Sequence, residues 1–393
     1  MRIIWTKVGL LCFISIFLLV VLPFSCRKER LAEPKIDRAS ENGIEIIKNH
    51  LFPYPVKSEP TDFRLDEELT INFGSPVIGE LGIANATSFE VDSDGSIYFF
   101  YTNKEGNLIF KFDPQGRYVK SFGLKGQGPG EIQYIVLTGI DSRDNLIISD
   151  NGTRKILVFT KDGGLVKETR YPMAVGLIYP LENGNYFGLW NKHPARLPKS
   201  MYSWAFSLYD PEFKEIELLD TQDVYNFNTQ GTRGVISRPF FKIKIGKGNV
   251  YIMSEERGYE ILKYNWEGRL VQKIRKEFEP VEVSREVIAE RTKRYERMGE
   301  KVWFPKYWLP LSDFFLDENG RIFAKTFEKG SNPGEYWYDI FDAGGVFIRR
   351  KTLNILNSGD VSACAKMRRN RLYCFQESEG GFNVFKVFRI VWE

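Results

Sequence analysis

His50 and His193 are the only histidines in the chain. Two imidazoles cannot build a three-histidine metal site, and Ser-His or Cys-His catalysis would have to run through one of them. The cysteines are Cys12, Cys26, Cys364 and Cys374, with no CxxC spacing for metal or redox work. Cys364 and Cys374 flank a turn at Arg368 to Asn370, and a three-residue turn there would set them face to face. In an exported protein such a pair either oxidises to a structural disulfide or stays as two buried thiols. The stretch Gly123-Leu124-Lys125-Gly126-Gln127-Gly128-Pro129-Gly130-Glu131 has the glycines of a phosphate cradle but lacks the Gly-Lys-Ser/Thr ending before a helix, so it reads as a tight connection. The most aromatic segment is Trp303-Phe304-Pro305-Lys306-Tyr307-Trp308-Leu309-Pro310. Trp303, Tyr307 and Trp308 are the candidate partner-binding loop, for a protein, peptide or glycan, against the alternative that they pack on the end of the domain.

What surrounds these residues bounds their use. With 43% apolar residues the chain can bury a large core, which excludes global disorder. Lys and Arg number 55 against 51 Asp and Glu, a balance too even for a nucleic-acid partner. The basic runs beginning at Arg291, Ile348 and Met367 read as solvated faces.

The N-terminus carries an address. Arg2 and Lys7 precede an apolar run from Val8 to Phe24, then Ser25 and Cys26. This resembles a bacterial lipoprotein signal, with residues 1–25 removed and Cys26 as the lipid anchor. The alternative is an uncleaved N-terminal helix, at the lower limit of a bilayer span and disfavoured by Arg27, Lys28 and Arg30 on the exported side. Both readings place the domain in the cell envelope, tethered to a bacterial membrane, in the periplasm or on the cell surface. Residues 26–66, charged and holding Pro34, Pro53, Pro55 and Pro60, read as a stalk with one short helix near Gly43 to Asn49. His50 then lies solvated in the stalk.

From residue 67 onward a repeat organises the chain. A first hairpin recurs six times, beginning at Phe89, Thr138, Tyr179, Ile243, Phe314 and Ala363, with turn residues Gly95, Asn145, Gly184, Gly248, Gly320 and Asn370 at positions that need positive φ. A second hairpin follows in five copies. In four of these an aromatic stands four residues before a glycine, as in Phe159 and Gly163, whereas Tyr209 has Phe213 in the glycine's place. The sixth copy is one strand short, and the unassigned run Glu68 to Phe73 is expected to supply the missing strand. The fold class is therefore all-β: a six-bladed β-propeller over residues 67–393, of four-stranded antiparallel blades closed by an N-terminal strand. One helical insertion precedes blade five, N-capped by Ser284 and running to about Met298.

The hairpins of the form D-x-x-G-x-I-Y and F-D-x-x-G, with the glycine-rich stretch between blades one and two, resemble the six-bladed β-propeller lipoproteins of bacteria, relatives of NHL-repeat and TolB-like propellers. The resemblance implies an exported propeller, mostly without an assigned activity. The leading expectation is a tethered binding or scaffolding module with no cofactor. The alternative is a Ca²⁺-assisted hydrolase or lyase working in the central channel. For that, Asp150, Asn151, Asn191 and Asp313 lie near strand ends, where such residues are more often turn or cap residues. No catalytic residue or metal ligand is assigned from the sequence.

Overall fold

The computed structural model describes residues 36–393 apart from 58, 61, 84–85, 87, 103, 172–176, 193–200, 226–240, 255–256, 298–303, 356–364 and 378–382. Blades one to five occupy 88–124, 135–170, 177–225, 241–276 and 313–354, each with its four strands hydrogen-bonded in sequence order. Blade six takes three strands from 365–392 and its fourth from the front of the chain. That strand, Phe63–Asn72, runs antiparallel to Asn383–Trp392 over its full length, from Trp392 opposite Phe63 to Val384 opposite Asn72. The closure expected from the repeat count is thus present, and the closing strand starts five residues before the expected Glu68.

The core lies between blades, because each twisted sheet offers two apolar faces to its neighbours. Phe89 and Phe99 of blade one meet Phe385 of blade six edge to face, with centroids 4.8 and 4.9 Å apart. Phe73, just past the closing strand, adds a further edge contact with Phe99 at 5.1 Å. The first and last blades are therefore joined by the most aromatic of the seams. The seam between blades two and three is smaller, built on Ile156, Tyr171, Ile178, Tyr186, Tyr209 and Phe213.

Residues 36–66 of the expected stalk fold onto the ring, which corrects the 26–66 assignment over that range; residues 26–35 lie outside the described residues. Asp37–Glu41 and Ile44–Asn49 form a hairpin around Asn42 and Gly43, both at positive φ, so the expected helix near Gly43 to Asn49 is a strand. The β-branched run Ile44-Glu45-Ile46-Ile47 buries Ile46 and Ile47 and pairs in parallel with Leu270–Lys276, the outermost strand of blade four. Blade four thereby becomes a six-stranded sheet. The Asn49 side chain enters the seam between blades four and five, donating to the carbonyls of Arg275 and Gly345 at 3.0 Å and accepting from the Phe347 N–H at 2.7 Å. Further on, Glu59 pairs with Arg321 at 2.7 Å and Asp62 with Lys351 at 2.8 Å. Prolines and charge mimic a solvated linker in the sequence, but here they mark a strap crossing blades four to six.

Turn chemistry repeats with the blades. Asp92, Asp113, Asp141, Asp210, Asp317 and Asp342 each accept, through Oδ1, the N–H groups two and four residues on. These carboxylates close their own turns. At Gly163 (φ 85°) a Cβ would stand 2.6 Å from Phe122 Cγ, on the outermost strand of blade one, so this turn requires glycine for space as well as for φ. Phe213 occupies the equivalent position at φ 62°, its ring stacked on Tyr186 with centroids 4.5 Å apart. In blade two the positive φ belongs to Asp144 (62°), not to the expected Asn145, whose N–H is bound to Asp141.

Candidate functional site

Alternation of antiparallel strands puts the first-to-second and third-to-fourth turns of every blade at one end of the ring. The second-to-third loops and the blade-to-blade connections lie at the other. The longer insertions therefore gather at that second end, including the helix Arg285–Glu296 and the segment after it.

Of the three expected binding residues, Trp303 lies outside the described residues. Tyr307 and Trp308 come together with the segment just before the helix: Tyr307 forms an isolated antiparallel bridge with Glu282, and the Trp308 N–H donates to the Val281 carbonyl at 2.7 Å. Trp308 stacks on Phe327 of blade five, centroids 4.7 Å apart and rings within 7° of parallel, and Arg291 of the helix stands 5.9 Å from its centroid. Tyr307 stays 43% exposed, with Lys306 Nζ 5.0 Å from its ring centroid. Trp308 thus packs on the ring end, while Tyr307 stays exposed beside it. The result is an aromatic surface flanked by two cations, suited to stacking and cation–π contacts.

The glycine-rich stretch is a connection, as its missing Gly-Lys-Ser/Thr ending implied. Glu131 folds back so that its carboxylate accepts from the Gly128 N–H at 2.8 Å, and a Cβ at Gly126 would fall 2.0 Å from that carboxylate. Beneath it lies Lys155, fully buried, donating to the carbonyls of Gln127 (3.2 Å) and Gly128 (2.7 Å) and pairing with Glu168 at 3.1 Å. A lysine inside the apolar run Lys155-Ile156-Leu157-Val158-Phe159 was the available sequence signal for this role.

Around the central axis the first strands contribute polar groups of which sequence reasoning marked only Asp313. Glu90 of blade one pairs with Lys366 of blade six at 2.9 Å and accepts from Thr138 of blade two at 3.1 Å. Lys244 of blade four pairs with Asp313 of blade five at 3.6 Å. Burial, and secondarily the Asp313 charge, pushes the Tyr179 hydroxyl of blade three far above its ordinary range. Each of these two carboxylates is matched by an ammonium, so the wall is polar and locally neutral. Single polar residues at alternating positions of first strands were the signal, visible once the strands are aligned.

The four possible calcium ligands belong to blades two, three and five. Asp150 is spent on the N–H groups of Gln133, Tyr134 and Gly152 and on the Thr153 hydroxyl. Asn151 and Asn191 are exposed, and Asp313 faces Lys244. Among the described residues no three His, Cys, Asp or Glu side chains are grouped to hold a metal. His50 is not in a free stalk: it follows the strand Ile44–Asn49 directly, 3.5 Å from Asp37 and 3.3 Å from Glu277. His193, Cys26 and Cys364 lie outside the described residues. The three-residue turn expected at Arg368 to Asn370 is one residue shorter. Arg369 and Asn370 make a two-residue turn at positive φ, and buried Cys374 stands opposite Ala365.

A family model described as a 6-bladed beta-propeller, DUF5128, matches residues 90–303. The chain belongs to this family. No curated protein matches it. Among solved structures, this DUF5128 propeller is similar to a Bacteroides fragilis NCTC 9343 protein described as exported, at 15% identity, covering 88% of this chain and 99% of that one with a TM-score of 0.50. It is also similar to a duf4221 family member from Bacteroides vulgatus ATCC 8482 (13% identity, 85% and 100% covered, TM-score 0.49). A third is a gluconolactonase from Xanthomonas campestris (12% identity, 90% and 100% covered, TM-score 0.39). At these identities the likeness is one of fold. Among the described residues no helix is long and apolar enough to cross a membrane.

Proposed function

We propose that this propeller is an exported, membrane-tethered binding module that holds a protein, peptide or glycan partner at its long-loop end. The observation that carries the reading is the Tyr307–Trp308 surface. Trp308 is fixed by its stack on Phe327, Tyr307 is left exposed, and cations stand beside both rings. A rigid aromatic anchor beside exposed rings contributes contact area at small entropic cost. Cys26 would supply the tether as a lipid anchor.

The channel-enzyme alternative gains little from the axis, where Glu90 and Asp313 are each paired with a lysine. The two readings separate on the purified full-length protein. Screening against glycan and peptide arrays should give ligands whose binding falls at least about tenfold in Tyr307→Ala, the loss typical of one aromatic contact residue. Melting temperature should not move on adding Ca²⁺ or EDTA. A calcium-dependent shift, with array binding unaltered by Tyr307→Ala, would overturn the binding reading in favour of the metal-assisted one.

A further inference from the structure

The strap shows how this ring receives an added strand. On blade four, Leu270–Lys276 takes Ile44–Asn49 in parallel, with Gln272 opposite Glu45 and the Gln272 side chain donating to the Glu45 carboxylate at 2.7 Å. With the strap in place Gln272, Ile274 and Lys276 are buried, and Leu270 and Val271 are half-buried. A bulge precedes the pairing: Tyr264 faces Leu270 and Lys263 faces Gln272, which leaves Val271 without an opposite residue. A bulge at this place therefore does not prevent a strand from adding just beyond it.

Leu165–Arg170, the outermost strand of blade two, is built the same way and left bare. The two strands open alike, Leu165-Val166 and Leu270-Val271. Phe159 faces Leu165 and Val158 faces Lys167, so Val166 is the bulge and Lys167 holds the place of Gln272. Blade two has four strands with this one at its edge, where Leu165 (46%), Val166 (55%) and Lys167 are exposed. A bare edge strand offers its outward N–H and C=O groups to another chain, and the side chains along it select which chain. The neighbouring blades differ at the deciding place. Blade three has Glu217 there, and blade one has Lys120, whose ammonium donates to the Asp162 carbonyl at 2.9 Å. Lys167 thus gives blade two an exposed positive charge where blade four meets a glutamate.

We propose that the outermost strand of blade two binds an extended segment of a partner protein by parallel strand addition, the segment carrying a glutamate between two aliphatic residues and pairing that glutamate with Lys167. The inference is independent of the aromatic loop. Its test uses the full-length protein and a fluorescein-labelled peptide with the sequence of Gly43 to Asn49, followed by anisotropy, beside a second peptide carrying Glu45→Lys. The glutamate peptide should bind at least about fivefold more tightly than the lysine peptide, and Lys167→Glu should reverse that order. Lys167 is exposed, so Lys167→Glu should melt at the wild-type temperature. Bound peptide should slow hydrogen–deuterium exchange over Leu165–Arg170 and leave Glu215–Tyr225 of blade three unchanged. No binding of the glutamate peptide, an order of affinities that Lys167→Glu leaves as it was, or slowed exchange confined to Leu270–Lys276 would each overturn the proposal. A dimer of the protein that Lys167→Glu breaks would put a second copy on this edge and overturn it as well. Tyr307→Ala should leave peptide affinity unchanged. Peptide binding lost in Tyr307→Ala, with no slowed exchange over Leu165–Arg170, would overturn this inference while sparing the reading of the aromatic loop.

Discussion

The two ends of the ring solve the same connection problem by different means. At the turn end, blade after blade closes on an aspartate that accepts two backbone N–H groups and a residue at positive φ. At the long-loop end each connection is its own: a buried lysine under a glycine loop, a helix with an aromatic segment. The turn end repeats because every blade needs the same tight reversal. The other end is released from that constraint, and there exposed aromatics and cations can accumulate without unsettling the strands.

Gly163 gives the largest break in this comparison. Alanine there meets the left-handed backbone cost, roughly 1 kcal/mol, and must displace Phe122, an overpacking of roughly 1–3 kcal/mol. Gly163→Ala should therefore lower stability by about 2–4 kcal/mol in urea unfolding. The same change at Gly184, where nothing lies within 4 Å of the added Cβ, should cost only the backbone share. Equal losses at the two glycines would show that φ alone, not the blade contact, sets the requirement.

Much of the turn end was legible in the sequence, because Asp-x-x-Gly punctuation and β-branched runs encode it locally. The strap was not. Asn49 and Glu59 find partners 296 and 262 residues away, and no local pattern distinguishes such a segment from a linker. The hairpin turn at Arg369 and Asn370 shows a finer limit. Both two- and three-residue turns suit that sequence, and the difference moves the partner of Cys374 by one position. At the candidate site the aromatic segment stood out by composition.

The next effect belongs to a buried cation at the loop end, Lys155. Lys155→Met keeps the volume but strips two carbonyls and Glu168 of their donor, and should cost about 2–3 kcal/mol at pH 7. The Glu168 carboxyl is held below its ordinary value of 4.5 by the Gly130 N–H first and by Lys155 after it. A carboxyl lowered in the folded state contributes fully above its unfolded pKa, and that contribution is lost as pH falls through the folded one. The gap between wild type and Lys155→Met should therefore be widest near neutrality and narrow as pH drops below about 4.5, the ordinary value for this carboxyl. A gap constant down to pH 3 would assign the lysine's whole effect to the Gln127 and Gly128 carbonyls.

The smallest effects should sit on the aromatic surface, and their inequality is the informative part. Trp308 loses a parallel stack on Phe327 when cut to alanine, which should cost about 1–2 kcal/mol. Tyr307, 43% exposed, should change stability by no more than about 0.5 kcal/mol. A residue that contributes little to folding yet stays ordered through its backbone bridge to Glu282 is free to serve a partner. If Tyr307→Ala instead destabilises as much as Trp308→Ala in thermal unfolding, the segment is packing throughout, and the two ends of the ring differ in regularity but not in purpose.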